Sequence, residues 1–138
     1  MIEINEIVNK ILDIRNSLAT RKMRDWTGED LTAAILELSI LKMSLGRFIA
    51  GIEDEKNQQE THRKKLEAIE YFKNREDKQS TRDSELNARL DTIDELKKEL
   101  KLESQVKDLR ILREDTSTLI DTIRTRISFL KKEMNGLS

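Results

Sequence analysis

The sequence predicts an all-α protein of three helices, two of them forming a long antiparallel hairpin of coiled-coil type and the N-terminal one packed at its base. Three observations predict it. The 138 residues include no proline, and no glycine falls between Gly51 and Gly136, whereas a sheet protein needs turn residues about every 8–12 positions. Charged residues make up 38% and aromatic residues 4%, a composition typical of long helices and coiled coils. Apolar residues recur three and four apart along most of the chain, which stacks them on one helical face. The length suits a single domain over residues 1–138.

The first helix is expected over about residues 2–18, with Ile4, Ile7, Val8, Ile11, Ile14 and Leu18 on one face. The stretch from Thr20 to Gly28 breaks the pattern and reads as a connector. Thr27 and Asp30, three apart, form an approximate capping box. The second helix then runs over about 29–73. Its seam, Leu31, Ala34, Leu38, Leu41, Leu45, Phe48 and Ile52, calls for a partner helix along its length. Gly46 and Gly51 interrupt it, either to admit a close neighbour or simply as tolerated residues. Continuing the register gives Glu55, Gln59 and His62, then Leu66 and Ile69, so the seam turns polar and then apolar again.

Residues 73–80 are polar and give the best site for a turn, although they hold neither glycine nor proline. Ser80 with Asp83 supplies a capping pattern for a third helix over about 81–134. One unbroken helix through this stretch is the alternative. The third helix begins its stripe with Leu86, Leu90, Ile93, Leu96 and Leu100. It continues through Leu102, Val106, Leu109, Arg113, Thr116, Ile120, Ile123, Ile127, Leu130 and Met134. Ile111, Leu112, Leu119, Phe129 and Leu137 lie off that line. Such apolar excess exceeds what one partner helix covers and predicts a homo-oligomer.

Composition excludes several kinds of chemistry. Without cysteine there is no disulfide, thiol nucleophile or thiolate metal site. With His62 as the one histidine, and Gln59 three residues before it, the Glu-x-x-His pairs of carboxylate di-iron bundles are missing. No Gly-rich phosphate loop occurs. No metal, cofactor or catalytic residue is expected, and the protein is read as no enzyme. Met1 to Glu6 is acidic and unlike a secretory leader. The longest apolar run, Ala33 to Leu36, is far too short to cross a membrane, and a cytoplasmic location is expected. His62, at a seam position, reads either as a buried polar residue that sets register and copy number or as partly exposed beside the basic run, with a pH switch as a further alternative.

Net charge is −1, so nucleic-acid binding requires local segregation of charge. Three basic clusters meet aromatic residues. Arg21, Lys22 and Arg24 flank Trp26. Arg63, Lys64, Lys65, Lys73 and Arg75 surround Tyr71 and Phe72, giving residues 61–75 a local charge of +3. Arg124, Arg126, Lys131 and Lys132 lie near Phe129. Cations beside rings are what single-strand binding uses, because phosphates need charge and unpaired bases stack. A solvated helix face with pairs such as Glu60–Lys64 explains the same runs.

The stretch Asp121-Thr122-Ile123-Arg124-Thr125-Arg126, with Lys131 and Met134 beyond it, resembles a pattern in the C-terminal helix of UvsY-type recombination mediators of tailed bacteriophages. Arg63-Lys64-Lys65 followed by Glu70-Tyr71-Phe72 is similar to the middle region of that family, and the pattern spans about residues 60–134. The resemblance implies a non-catalytic, ring-like homo-oligomer in the host cytoplasm. It implies binding of single-stranded DNA, displacement of single-strand-binding protein and loading of a recombinase. On that basis Arg63, Lys64, Lys65, Tyr71, Lys73, Arg75, Arg124 and Arg126 are the candidate DNA contacts. Ile120, Ile123, Ile127, Leu130 and Met134 are the candidate association surface. The alternative is a structural or adaptor coiled coil that binds a protein partner and no nucleic acid.

Overall fold

A computed structural model describes residues 3–20 and 25–136. The expected helix start at Ile2, the connector cations Arg21, Lys22 and Arg24, and Leu137 lie outside the described residues. Four helices follow in order: α1 (Ile4–Thr20), α2 (Gly28–Glu76), α3 (Thr81–Asp91) and α4 (Ile93–Gly136). The described residues contain no strand. The chain divides into two compact units, Met1–Ile49 with Leu109–Ser138, and Ala50–Asp108. Both α2 and α4 contribute to each.

The expected caps form. At the start of α2 the Thr27 amide donates to Asp30 Oδ2 and the Asp30 amide donates to Thr27 Oγ1, both at 3.1 Å, so two orphan donors are satisfied reciprocally. Ser80 caps α3 by accepting from the Asp83 amide at 3.1 Å. Between them the chain turns without glycine. The Gln79 amide donates to Asn74 O at 3.2 Å and the Lys78 amide to Arg75 O at 3.0 Å. These are the two bonds of a Schellman ending. Lys78 occupies its left-handed position at φ 64°, where glycine is usual.

The third helix expected from the sequence is two helices, because Thr92 interrupts it. Thr92 takes φ −108° and ψ 15°, and its buried hydroxyl donates to Ala88 O at 2.9 Å. Such back-bonding by a β-branched side chain bends a helix. The Thr92 carbonyl then accepts from the Leu96 amide at 3.1 Å and opens α4.

The first unit has an apolar interior. Ile7, Ile11 and Leu18 of α1, Leu31, Ala34, Leu38, Leu41, Leu45 and Ile49 of α2, and Ile120 and Ile123 of α4 are buried, with Thr116 among them. The α2 seam holds its expected residues to Leu45. Ile49 then replaces Phe48 as the buried one, because a straight helix drifts from a strict seven-residue repeat. A Cβ on Gly46 would meet the Arg113 guanidinium at an ordinary 3.7 Å, and one on Gly51 would meet nothing within 4 Å.

The second unit reverses the pattern. Its buried residues are Asn74, Ser84, Ala88, Thr92, Glu99 and Val106. Leu86, Leu90, Ile93, Leu96 and Leu100, the expected start of the inward stripe, are instead 37–63% exposed. The physical reason is register: Asn74 Nδ2 donates to Ser84 O at 3.4 Å and Arg63 Nε to Glu99 Oε2 at 2.6 Å, which turns the small and polar face of α3 and α4 toward α2. Asn74 meets Ser84, Glu67 meets Arg89 and His62 meets Glu95, the contact order of antiparallel helices within this unit.

Two backbone substitutions test these assignments in opposite directions. Lys78→Gly relieves a left-handed side chain and is expected to stabilise the protein by about 1 kcal/mol. Gly51→Ala, in an open helical position, is expected to add a similar ~1 kcal/mol. Thermal and urea unfolding followed by circular dichroism read both.

Candidate nucleic-acid interface

Arg63, Lys64 and Lys65 are consecutive on α2, so their side chains leave the helix about 100° apart and cannot act as one patch. Arg63 turns inward. Its guanidinium bonds Glu99 at 2.6 Å and Glu67 at 3.0 Å, and its side chain is only 18% exposed. The hydrogen bond to Glu99 raises the Arg63 pKa. Arg63 is therefore corrected from a DNA contact to a structural cation, its charge already matched inside the protein. Lys64 reaches Glu60 at 2.9 Å on the surface and holds that carboxyl below its ordinary 4.5. Lys65 lines a separate shallow depression with Asn57, Gln58, Thr61 and His62.

An open groove of about 500 Å³ lies between α2 and α3. From α2 it takes Arg63, Lys64, Glu67, Ala68, Tyr71 and Phe72, and from α3 Glu85, Ala88 and Arg89. The spacing explains the lining, because 64, 68, 71 and 72 fall on one helical face. The two alanines keep the floor low. Tyr71 and Phe72 meet edge to face, with ring centroids 5.4 Å apart, and Phe72 is exposed. Arg89 stands 3.7 Å from Glu67 with most of its side chain in solvent. Lys64 and Arg89 thus offer charge to a ligand at the rim, while Glu67 and Glu85 limit it.

Of the eight candidate DNA contacts, the groove gathers Arg63, Lys64 and Tyr71. Lys73 and Arg75 are exposed in the last turn of α2, where Arg75 donates to Gln79 O at 2.8 Å and closes the helix end. Arg124 and Arg126 belong to the other unit. Arg124 is exposed, 3.6 Å from Asp121. Arg126 is half-buried, and its Nε is out of contact with water and without a hydrogen-bond partner. Arg89 escaped the sequence reading, because only the Glu67–Arg89 pairing across the two helices brings it to the rings.

The association surface is also corrected. Ile120 and Ile123 are 5% and 0% exposed within one chain, so they belong to the core and cannot meet a second molecule. Ile127 and Leu130 are half-buried, and Met134 is exposed. His62 takes the exposed placement and not the buried one, 3.9 Å from Glu95. Gln59 makes the stronger contact, donating to Glu95 Oε2 at 2.7 Å. That bond, first among several causes, holds Glu95 below 4.5. Among the described residues no helix is long and apolar enough to cross a membrane, and no group of three or more His, Cys, Asp or Glu is placed to hold a metal ion.

Removing Arg63 leaves Glu99 without its ion-pair partner in a seam that water partly reaches. Arg63→Ala is expected to destabilise the protein by about 1 kcal/mol, and adding Glu99→Leu is expected to restore most of it; urea unfolding measures both. Glu95 adds stability that is complete above its unfolded value of 4.5 and disappears as pH falls through its lowered folded value. Glu95→Gln should therefore flatten the loss of helicity below pH 4.5 in an acid titration.

No family model, curated protein or solved structure matches the chain.

Proposed function

We propose that the protein is a non-catalytic, self-associating binder of single-stranded DNA that acts as a recombination mediator. In this reading α2 and α3–α4 form the two legs of a helical hairpin with α1 at its base. The observation that carries the proposal is the α2–α3 groove, where Tyr71 and Phe72 share one depression with Lys64 and Arg89. Unpaired bases stack on exposed rings, and phosphates follow rim cations. One such groove holds a strand weakly, since Glu67 and Glu85 offset part of its charge. Several copies on one strand add their sites through effective concentration. The UvsY-like pattern supplies the remaining steps, displacement of single-strand-binding protein and recombinase loading, both as proposals.

A second reading has its own observation. The exposed Leu86–Leu100 face and the pairing of Arg63, Lys64 and Arg124 with carboxylates favour a structural or adaptor protein that binds another protein and no nucleic acid. Strand affinity separates the two.

Fluorescence anisotropy on a labelled oligothymidine, run as a salt series, provides the test. Binding is expected to weaken with salt. Lys64→Glu with Arg89→Glu is expected to reduce the salt slope by about 1.4, some 0.7 for each phosphate of the single strand that is no longer neutralised. Tyr71→Ala is expected to cost about 1–3 kcal/mol of affinity with the slope unchanged. Absence of binding at low salt overturns the strand-binding proposal and leaves the adaptor reading.

A further inference from the structure

The second unit carries its large aliphatic residues on the outside. Leu86, Leu90, Ile93, Leu96 and Leu100 are all exposed, while Ser84, Ala88, Thr92 and Glu99 fill the inner face of the same helices. On a helix the two sets lie on nearly opposite sides. No neighbour within this unit covers the outer stripe.

The spacing of that stripe is symmetric. Its steps are four, three, three and four residues, the same read from either end, with Ile93 at the centre. A two-fold axis through Ile93 places Leu86 opposite Leu100 and Leu90 opposite Leu96 of an antiparallel second copy. An isologous contact requires this self-complementarity, because each surface must serve as its own partner.

The charges at the ends of the stripe obey the same axis. Arg82 and Glu103 lie on one flank, and Asp83 and Lys101 on the other, all four exposed. In an antiparallel pair each flank faces its own equivalent, so Arg82 meets Glu103 of the second copy and Asp83 meets Lys101. Both contacts are attractive and each occurs twice. A parallel pair would bring opposite flanks together, Arg82 facing Asp83 and Lys101 facing Glu103.

We infer that the α3–α4 outer face, Leu86 to Leu100, is the surface through which two copies of this chain pair antiparallel about Ile93. The inference rests on the self-association in the function proposed above and gives it a location. Strand binding is measured separately, so failure of one is visible without the other.

The chain has no cysteine, which makes single-cysteine crosslinking clean. Ile93→Cys is expected to form a disulfide-linked dimer with itself under mild oxidation. Leu86→Cys alone is expected to remain uncrosslinked, and an equimolar mixture of Leu86→Cys with Leu100→Cys is expected to link. In sedimentation equilibrium the native protein should show at least twice the 16.2 kDa chain mass. Ile93→Lys should weaken that association at least tenfold with helicity retained, whereas Leu36→Lys, at an exposed apolar position in the other unit, should leave it unchanged. Arg82→Glu with Asp83→Lys should weaken pairing, and adding Lys101→Glu with Glu103→Lys should restore it. A native protein of single-chain mass, a self-linking Leu86→Cys variant, or an Ile93→Lys variant of unchanged mass overturns the inference.

Discussion

The Arg63–Glu99 ion pair governs how the second unit is arranged. Its 2.6 Å bond lies in a seam where the neighbouring buried groups are Asn74, Ser84, Ala88 and Thr92. Apolar surfaces attract at many registers, but a short ion pair and an amide-to-carbonyl bond are satisfied at one. With these contacts made, the inner faces of α3 and α4 are fixed, and the leucines of the same helices must point away from α2. Burying a pair of charges gives little net stability over an apolar seam. Its return here is orientation, and orientation creates the outward leucine face.

The first unit works by the opposite rule. Its three helical segments close over isoleucine and leucine, with Thr116 the one buried polar side chain among the described residues, and Thr116 satisfies its hydroxyl by donating to Leu112 O at 2.7 Å. Helix α2 passes from one regime to the other near Ile49, and α4 near Leu109. The candidate DNA contacts divide along the same line. Those on α2 stand in the polar unit, three of them lining the groove, and Arg124 and Arg126 stand in the apolar one.

Much of the fold was legible in the sequence, for identifiable reasons. Three-and-four spacing located the helical stretches, and Thr27, Asp30, Ser80 and Asp83 announced two helix starts, because capping is a local matter of a few backbone bonds. The turn near residue 78 was visible only as a polar gap, since a lysine in the left-handed position leaves no signature. The interruption at Thr92 was not visible either, because a threonine inside a periodic stretch usually stays helical. The largest difference, the outward turn of Leu86 to Leu100, came from contacts 36 residues apart in sequence, such as Gln59 with Glu95. Periodicity along one helix identifies a stripe and is silent about which of two faces a neighbour takes. The site followed the same pattern: Lys64 and Tyr71 were legible as a basic and aromatic cluster, while Arg89 needed the pairing of two helices.

The turn at Lys78 also bears on the order in which the chain organises. Asn87 reaches Gln79 across eight residues and Asn74 reaches Ser84 across ten, whereas Gln59 and Glu95 are separated by 36. Closing a short loop costs less chain entropy than closing a long one. Contacts beside the bend therefore form at the lowest cost, and each shortens the loop that the next must close. The second unit can zip outward from its tip, with the Arg63 pair as a later fastening, and needs nothing from the apolar helices to begin.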